Sequence, residues 1–149
     1  MQETTFELGK SEVVKALSPF YGGPLLFNKK VSLGIVNGNP ITAKTSIEIT
    51  DDHPFVRMFH GRIPRLLFEE FAKQLAILIS TSMVEPMMPT LKLDKYYSRA
   101  ENNPGRFSLA VTKIGDFMGD SCIFELIIQG ENDKRPTSWS FVLEWMRKN

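Results

Sequence analysis

One stretch of the chain brings together the residue types that acid–base chemistry needs. FVRMFHGRIPRLLFEEFAKQLAIL, Phe55 to Leu78, places His60 just ahead of an apolar helical pattern that carries Glu69 and Glu70. An imidazole and a carboxylate held together can pass protons in both directions. Glu70 stands between Phe68 and Phe71, where an unpaired carboxylate is costly to bury, so a pocket or a partner is expected for it. Gln74 follows one helical turn later and can hydrogen-bond it. The ordinary role for Glu69 is to favour the helix dipole from the first turns. His53, the second histidine, follows Asp51 and Asp52 and reads either as a base or as a solvated loop residue. His60 reads either as a base or as a surface histidine. Arg57, Arg62 and Arg65 surround the same region. They form a solvated basic rim or a docking collar for an acidic carrier protein or its phosphates.

Other chemistries find little support. A single cysteine, Cys122, gives no internal disulfide and no cysteine-based metal cluster, and it reads as a small core residue. No metal ligand set and no cofactor are expected. A formal net charge of +1 supplies no general attraction to nucleic acid. The start, MQETTFELGKSEV, lacks the layout of a secretion signal. The longest apolar-rich run, Leu66 to Ile79, is interrupted by Glu69, Glu70, Lys73 and Gln74 and is too short to span a bilayer. The expectation is a cytoplasmic, soluble protein without a membrane partner. At 149 residues the chain suits one domain, 1–149, with a real core.

The elements that must position these side chains follow from periodicity. SEVVKAL reads as a short helix capped by Ser11. PLLFNKKVSLGIV and ITAKTSIEIT read as strands joined by a turn at Asn37–Pro40. Within the second, Ile41, Ala43, Thr45, Ile47 and Ile49 share one face. Asp51 to Arg62 reads as loop. From Pro64, placed at the first helical position, a helix runs to about Ser82, and its apolar residues cover most of its circumference, so it is buried. TLKLDKYYSR, RFSLAVTKI, DSCIFELIIQ and TSWSFVLEWM read as four more strands between breaks of turn chemistry. The result is α+β, with one helix packed on an antiparallel sheet. Met83, Met87 and Met88 suit irregular core packing or an acyl tunnel, and Trp139 and Trp145 a core or a dimer interface.

That order, together with four local motifs, resembles the hot-dog fold and specifically the 3-hydroxyacyl-ACP dehydratases of the FabZ/FabA type. LSPFYGGPLLFNKKV is similar to that family's opening loop and strand. DDHPFVRMFHGR resembles its N-x-P-F-F-x-G-H-F-P-G-R segment. PRLLFEEFAKQ resembles its P-G-V-L-x-x-E-A-M-A-Q helix, and LDKYYSRAENNPGR its following strand and turn. The resemblance implies that a histidine takes the α-proton of a 3-hydroxyacyl thioester while a carboxylate on the helix protonates the departing hydroxyl. Backbone N–H groups at the helix start would polarise the carbonyl. It also implies a site shared across a dimer. Pro64, Glu70 and Gln74 match the family's spacing. Phe59, Gly61 and Arg62 match F-P-G-R, which puts Met58 in the histidine slot.

A thioether cannot act as a general base. Arg65 replaces the glycine whose backbone approaches the thioester. Three functions follow: a dehydratase with His60 or His53 as base and Glu70 as acid, a non-catalytic subunit paired with a histidine-bearing chain, or a hot-dog acyl thioesterase. The substrate would be a thioester of acyl carrier protein or of CoA. Met58, Phe59, Gly61, Pro64, Arg65 and Gln74 would bind it, and Arg57 and Arg62 would dock the carrier. The assembly expected is a homodimer or a heterodimer with a second hot-dog chain.

Overall fold

The computed structural model describes residues 2–21, 29–92 and 103–148. Strand β1 (Glu3–Leu8) is followed by helix α1 (Lys10–Leu17) and a turn of 3-10 helix (Ser18–Phe20). Strands β2 (Val31–Val36) and β3 (Asn39–Ile49) lead to the short helix α2 (Pro54–Met58) and the long helix α3 (Arg65–Ser80). Strands β4 (Thr90–Lys92), β5 (Gly105–Met118), β6 (Ser121–Gly130) and β7 (Thr137–Glu144) complete the chain. They form one seven-stranded antiparallel sheet in the order β1-β2-β3-β5-β6-β7-β4. This is the α+β plan expected, with α3 lying between the two halves of the sheet in sequence.

Hydrophobic alternation decides which face of the sheet turns inward. In β3, Ala43, Thr45, Ile47 and Ile49 are buried while Lys44, Ser46 and Glu48 are exposed. Phe107, Leu109 and Val111 of β5 continue that face beside them, followed by Phe124, Leu126 and Ile128 of β6. Against it packs α3, from which Phe68 meets Phe107 edge-on with ring centroids 5.2 Å apart. At the far side, Trp139 stacks on Phe141 at 4.7 Å, and Trp145 lies just beyond β7, buried against Phe124. The turn between β2 and β3 uses Asn37 and Gly38 at φ 53° and 77°. Two consecutive left-handed residues give the tight hairpin that Asn-Gly favours.

Several boundaries differ from the sequence reading. Ser11 does not cap α1: Glu12 accepts from the Gly9 N–H at 3.1 Å, which moves the start back to Lys10. Pro64 is the residue before α3 rather than its first, and the helix stops at Ser80 instead of Ser82. The expected loop from Asp51 to Arg62 holds α2, a single turn begun by Pro54. Strand β1 was not anticipated, because its residues are nearly all exposed and show no alternation into a core. The strand expected over 24–36 begins at Val31 among the described residues, and that expected over 90–99 is seen as Thr90–Lys92. Residues 22–28 and 93–102, which carry parts of two of the quoted motifs, lie outside the described residues.

Leu75 sits fully buried at the centre of α3. Leu75→Ala removes its contacts and leaves a void, which costs about 2–5 kcal/mol in comparable cores. Urea unfolding followed by tryptophan fluorescence should show that loss, because Trp139 and Trp145 are both in the core.

Candidate functional site

Helix α3 carries two adjacent carboxylates that meet opposite surroundings. Glu69 is buried at 8% exposure, and its Oε1 lies 3.3 Å from Arg65 Nε, one turn earlier. Burial pushes its carboxyl above the usual range, and the Arg65 guanidinium opposes that shift. Glu70 keeps 18% of its side chain exposed. One residue of rotation therefore separates a buried acid from one that stays partly exposed.

Three donors converge on Glu70. The Tyr21 hydroxyl donates to Oε1 at 3.0 Å, and the Gln74 amide donates to the same oxygen at 3.2 Å. Lys73 Nζ lies 2.9 Å from Oε2. Tyr21 is delivered by α1 and the 3-10 turn, whose Ser18 carbonyl accepts from the Tyr21 N–H at 3.2 Å. Val13 and Leu17 anchor that unit in the core. Burial first, and then the negative charge of Glu70, raise the Tyr21 phenol far above its usual value, so it stays a donor. Gln74 is fully buried, as expected for a residue that fixes its neighbour rather than meets solvent. Tyr21 and Lys73 were not picked out from sequence. Lys73 was legible in principle as an i,i+3 partner of Glu70, whereas Tyr21 lies 49 residues from Glu70, across β2, β3 and α2, and had no local signal.

The other candidates lie elsewhere. His53 caps α2: its Nδ1 accepts from the Phe55 N–H at 3.2 Å, and its ring meets Phe55 edge-on. His60 is exposed, at φ 59°, and starts the left-handed turn with Gly61 at φ 84° that redirects the chain into α3. Met58 is 69% exposed, and Phe59 and Leu66 project beside the same end of α3 at 47% and 58%. Arg57 pairs with Asp52 at 3.4 Å, Arg62 is exposed, and Arg65 turns to Glu69. Pro64 is buried and sets the entry into α3. Met83 packs partly against the core, while Met87 and Met88 are exposed. Cys122 is buried, and burial raises its thiol above the usual value, away from nucleophilic use. Among the described residues no group of three His, Cys, Asp or Glu side chains could hold a metal ion. No helix among them is long and apolar enough to cross a membrane.

Two outcomes test this division between structural and chemical roles. His53→Ala removes a helix cap, so it should lower stability by about 1 kcal/mol, while His60→Ala should leave the unfolding midpoint nearly unchanged. Glu69→Gln tests the raised carboxyl. A folded-state pKa above the unfolded one favours folding at low pH, and that contribution is lost as pH rises through the folded value. Glu69→Gln should therefore gain stability relative to the native chain between about pH 4, near the unfolded value, and pH 7. Urea midpoints across that range would show it, and a constant difference would contradict the burial assigned to Glu69.

No protein-family model matches the chain. No curated protein matches it either. Similarity appears at the level of solved structures. The PaaI protein of E. coli, from the phenylacetic acid degradation operon, superposes with a TM-score of 0.52 at 8% identity. The match covers 91% of this chain and 88% of that one. A mutant of the thioesterase PA1618 from Pseudomonas aeruginosa gives a TM-score of 0.45 at 12% identity, over 79% and 82% of the two chains, a likeness too loose to argue from. The antiparallel sheet packed on α3 and the extent of the first match establish a hot-dog fold.

Proposed function

We propose that this chain hydrolyses acyl thioesters, with Glu70 as the base that activates water. The observation that carries the reading is the set of donors around Glu70: Tyr21, Gln74 and Lys73 all offer hydrogens to its oxygens. Carboxylate oxygens accept hydrogen bonds, and a water-activating base must accept a proton. Dehydration of a 3-hydroxyacyl thioester would need a second proton-transfer group facing the acid. Within one chain, the described neighbours of Glu70 include no imidazole: His53 caps α2, and the slot ahead of the helix holds the exposed Met58.

In this reading the thioester carbonyl lies at the first turn of α3. N–H groups at a helix start lack intrahelical acceptors and carry partial positive charge. Glu70 is four residues beyond Leu66, about 6 Å along the axis, so a water between them reaches the carbonyl carbon. Glu70 takes a proton from that water as the new C–O bond forms, and negative charge moves to the carbonyl oxygen. Collapse of the tetrahedral species breaks the C–S bond, and the departing sulfur takes the proton back from Glu70. The products are a carboxylic acid and a thiol, and no other reactant is needed. Tyr21 and Gln74 hold the carboxylate in one orientation, and Lys73 balances its charge.

In this reading the substrate is a thioester of CoA or acyl carrier protein, whose phosphates Arg57 and Arg62 would meet. A second copy of the chain would cover Met58, Phe59 and Leu66, which are too exposed for a hydrophobic cluster left in water. Light scattering at micromolar concentration should therefore return at least a dimer.

The decisive measurement is thiol release from a panel of acyl-CoA substrates, followed with a thiol-reactive dye. Glu70→Gln should lower kcat/KM by about 10²–10⁴-fold with no loss of folding. Tyr21→Phe should lower it by roughly tenfold, as expected for one hydrogen bond to a charged group. His60→Ala should change little. Rapid dehydration of a 3-hydroxyacyl thioester, lost in His60→Ala, would overturn the reading and make His60 the base.

A further inference from the structure

The sheet face turned away from α3 carries a recess of about 590 Å³. Its hollow is a consequence of side-chain size. Cross-strand register sets Ser32 beside Lys44, Lys44 beside Ala110 and Ala110 beside Ile127. One step along the strands, Ser46 stands beside Ser108, and Ser108 beside Gln129. Serine and alanine on the central strands make a low floor between longer neighbours. Ile127, 37% exposed, gives that floor an apolar wall.

The charge around the recess is one-sided. Lys29, Lys30 and Lys44 line it, and no acidic residue does. Lys30 is paired with Glu7 at 3.4 Å. Lys29 and Lys44 have no ion-pair partner among the described residues. The adjoining hollow of about 450 Å³ shares Ser46, Ser108 and Gln129 with the first but is electrostatically different. There Arg106 is neutralised by Glu48 at 3.0 Å, and Glu131 adds a negative charge. The groove therefore has a cationic end at Lys29 and Lys44 and none at the other.

We propose that this recess is a binding site for a small amphipathic organic anion, with its acidic group held by Lys29 and Lys44 and its apolar body laid over Ala110 against Ile127. Its volume falls within the range of small-molecule pockets, about 300–1,000 Å³. The Ser46 and Ser108 hydroxyls add neutral donors near the lysines, which suits an oxyanion, whereas Ser32 donates to Glu7 and the Gln129 amide to the Gly130 and Asp133 carbonyls. The site lies on the face opposite Glu70 and does not depend on the hydrolytic reading.

Anilinonaphthalene sulfonate is a suitable probe, because it joins an anionic group to an apolar body and its fluorescence reports burial. It should bind the purified full chain saturably, at one site per chain, and octanoate should displace it while octanol at equal concentration should not. Lys44→Glu should weaken binding by about tenfold, on the scale of one charge-assisted hydrogen bond. Ser108→Trp should abolish binding by filling the floor while leaving every lysine in place. Lys10→Glu, which makes the same charge change on α1, should bind as the native chain does, and circular dichroism would confirm folding of each variant. Binding that survives both Lys44→Glu and Ser108→Trp, or that octanol and octanoate displace equally, would overturn the proposal.

Discussion

Everything in this molecule follows from having to bury a helix that is apolar nearly all the way round. Twelve of the sixteen residues of α3 are buried. A helix of that kind cannot rest on a flat sheet with one side in water, because the far side would stay exposed. The sheet supplies one cover through β3 and β5, and α1 supplies another through Val13 and Leu17. The same requirement sets the cost of each polar group on α3. Glu69 meets it with Arg65, and Glu70 meets it with Tyr21, Gln74 and Lys73. A charge left unpaired on such a helix would carry its full desolvation cost.

The two glutamates show how little separates structure from chemistry. They are neighbours in sequence and differ by about 100° around the helix. That rotation puts Glu69 under packing, with its carboxyl pushed up by burial, and leaves Glu70 partly exposed among donors. Tyr21 ties the two layers together. Its hydroxyl reaches Glu70 only because α1 docks on α3, so the position of the carboxylate depends on the N-terminal unit as well as on its own helix.

Much of this was legible in the sequence, for reasons that differ by element. The burial of α3 and the inward face of β3 were plain because long apolar periodicities have few alternative readings. Glu70 and Gln74 stood out because polar residues in an apolar helix demand a reason. By contrast β1 was invisible, since an exposed edge strand is held by backbone pairing with β2 and carries no pattern in its side chains. The turn at α2 is too short to show a period, and its cap is a histidine whose imidazole accepts from Phe55, a role that residue type alone does not suggest. Tyr21 was hidden because the contact is purely tertiary.

The histidines bear on mechanism through geometry rather than identity. A base must have an unoccupied nitrogen aimed at the proton it removes. His53 has committed Nδ1 to the start of α2, and His60 sits in a left-handed backbone conformation that bends the chain toward Pro64. A non-glycine residue with positive φ is held there by its surroundings, and the next residue, Gly61, has the same sign. The pair makes a sharp reversal that lets Ile63 and Pro64 turn inward to seed α3. The segment whose composition suggests an imidazole catalyst thus starts the buried helix, which holds Glu70 partly exposed among its donors.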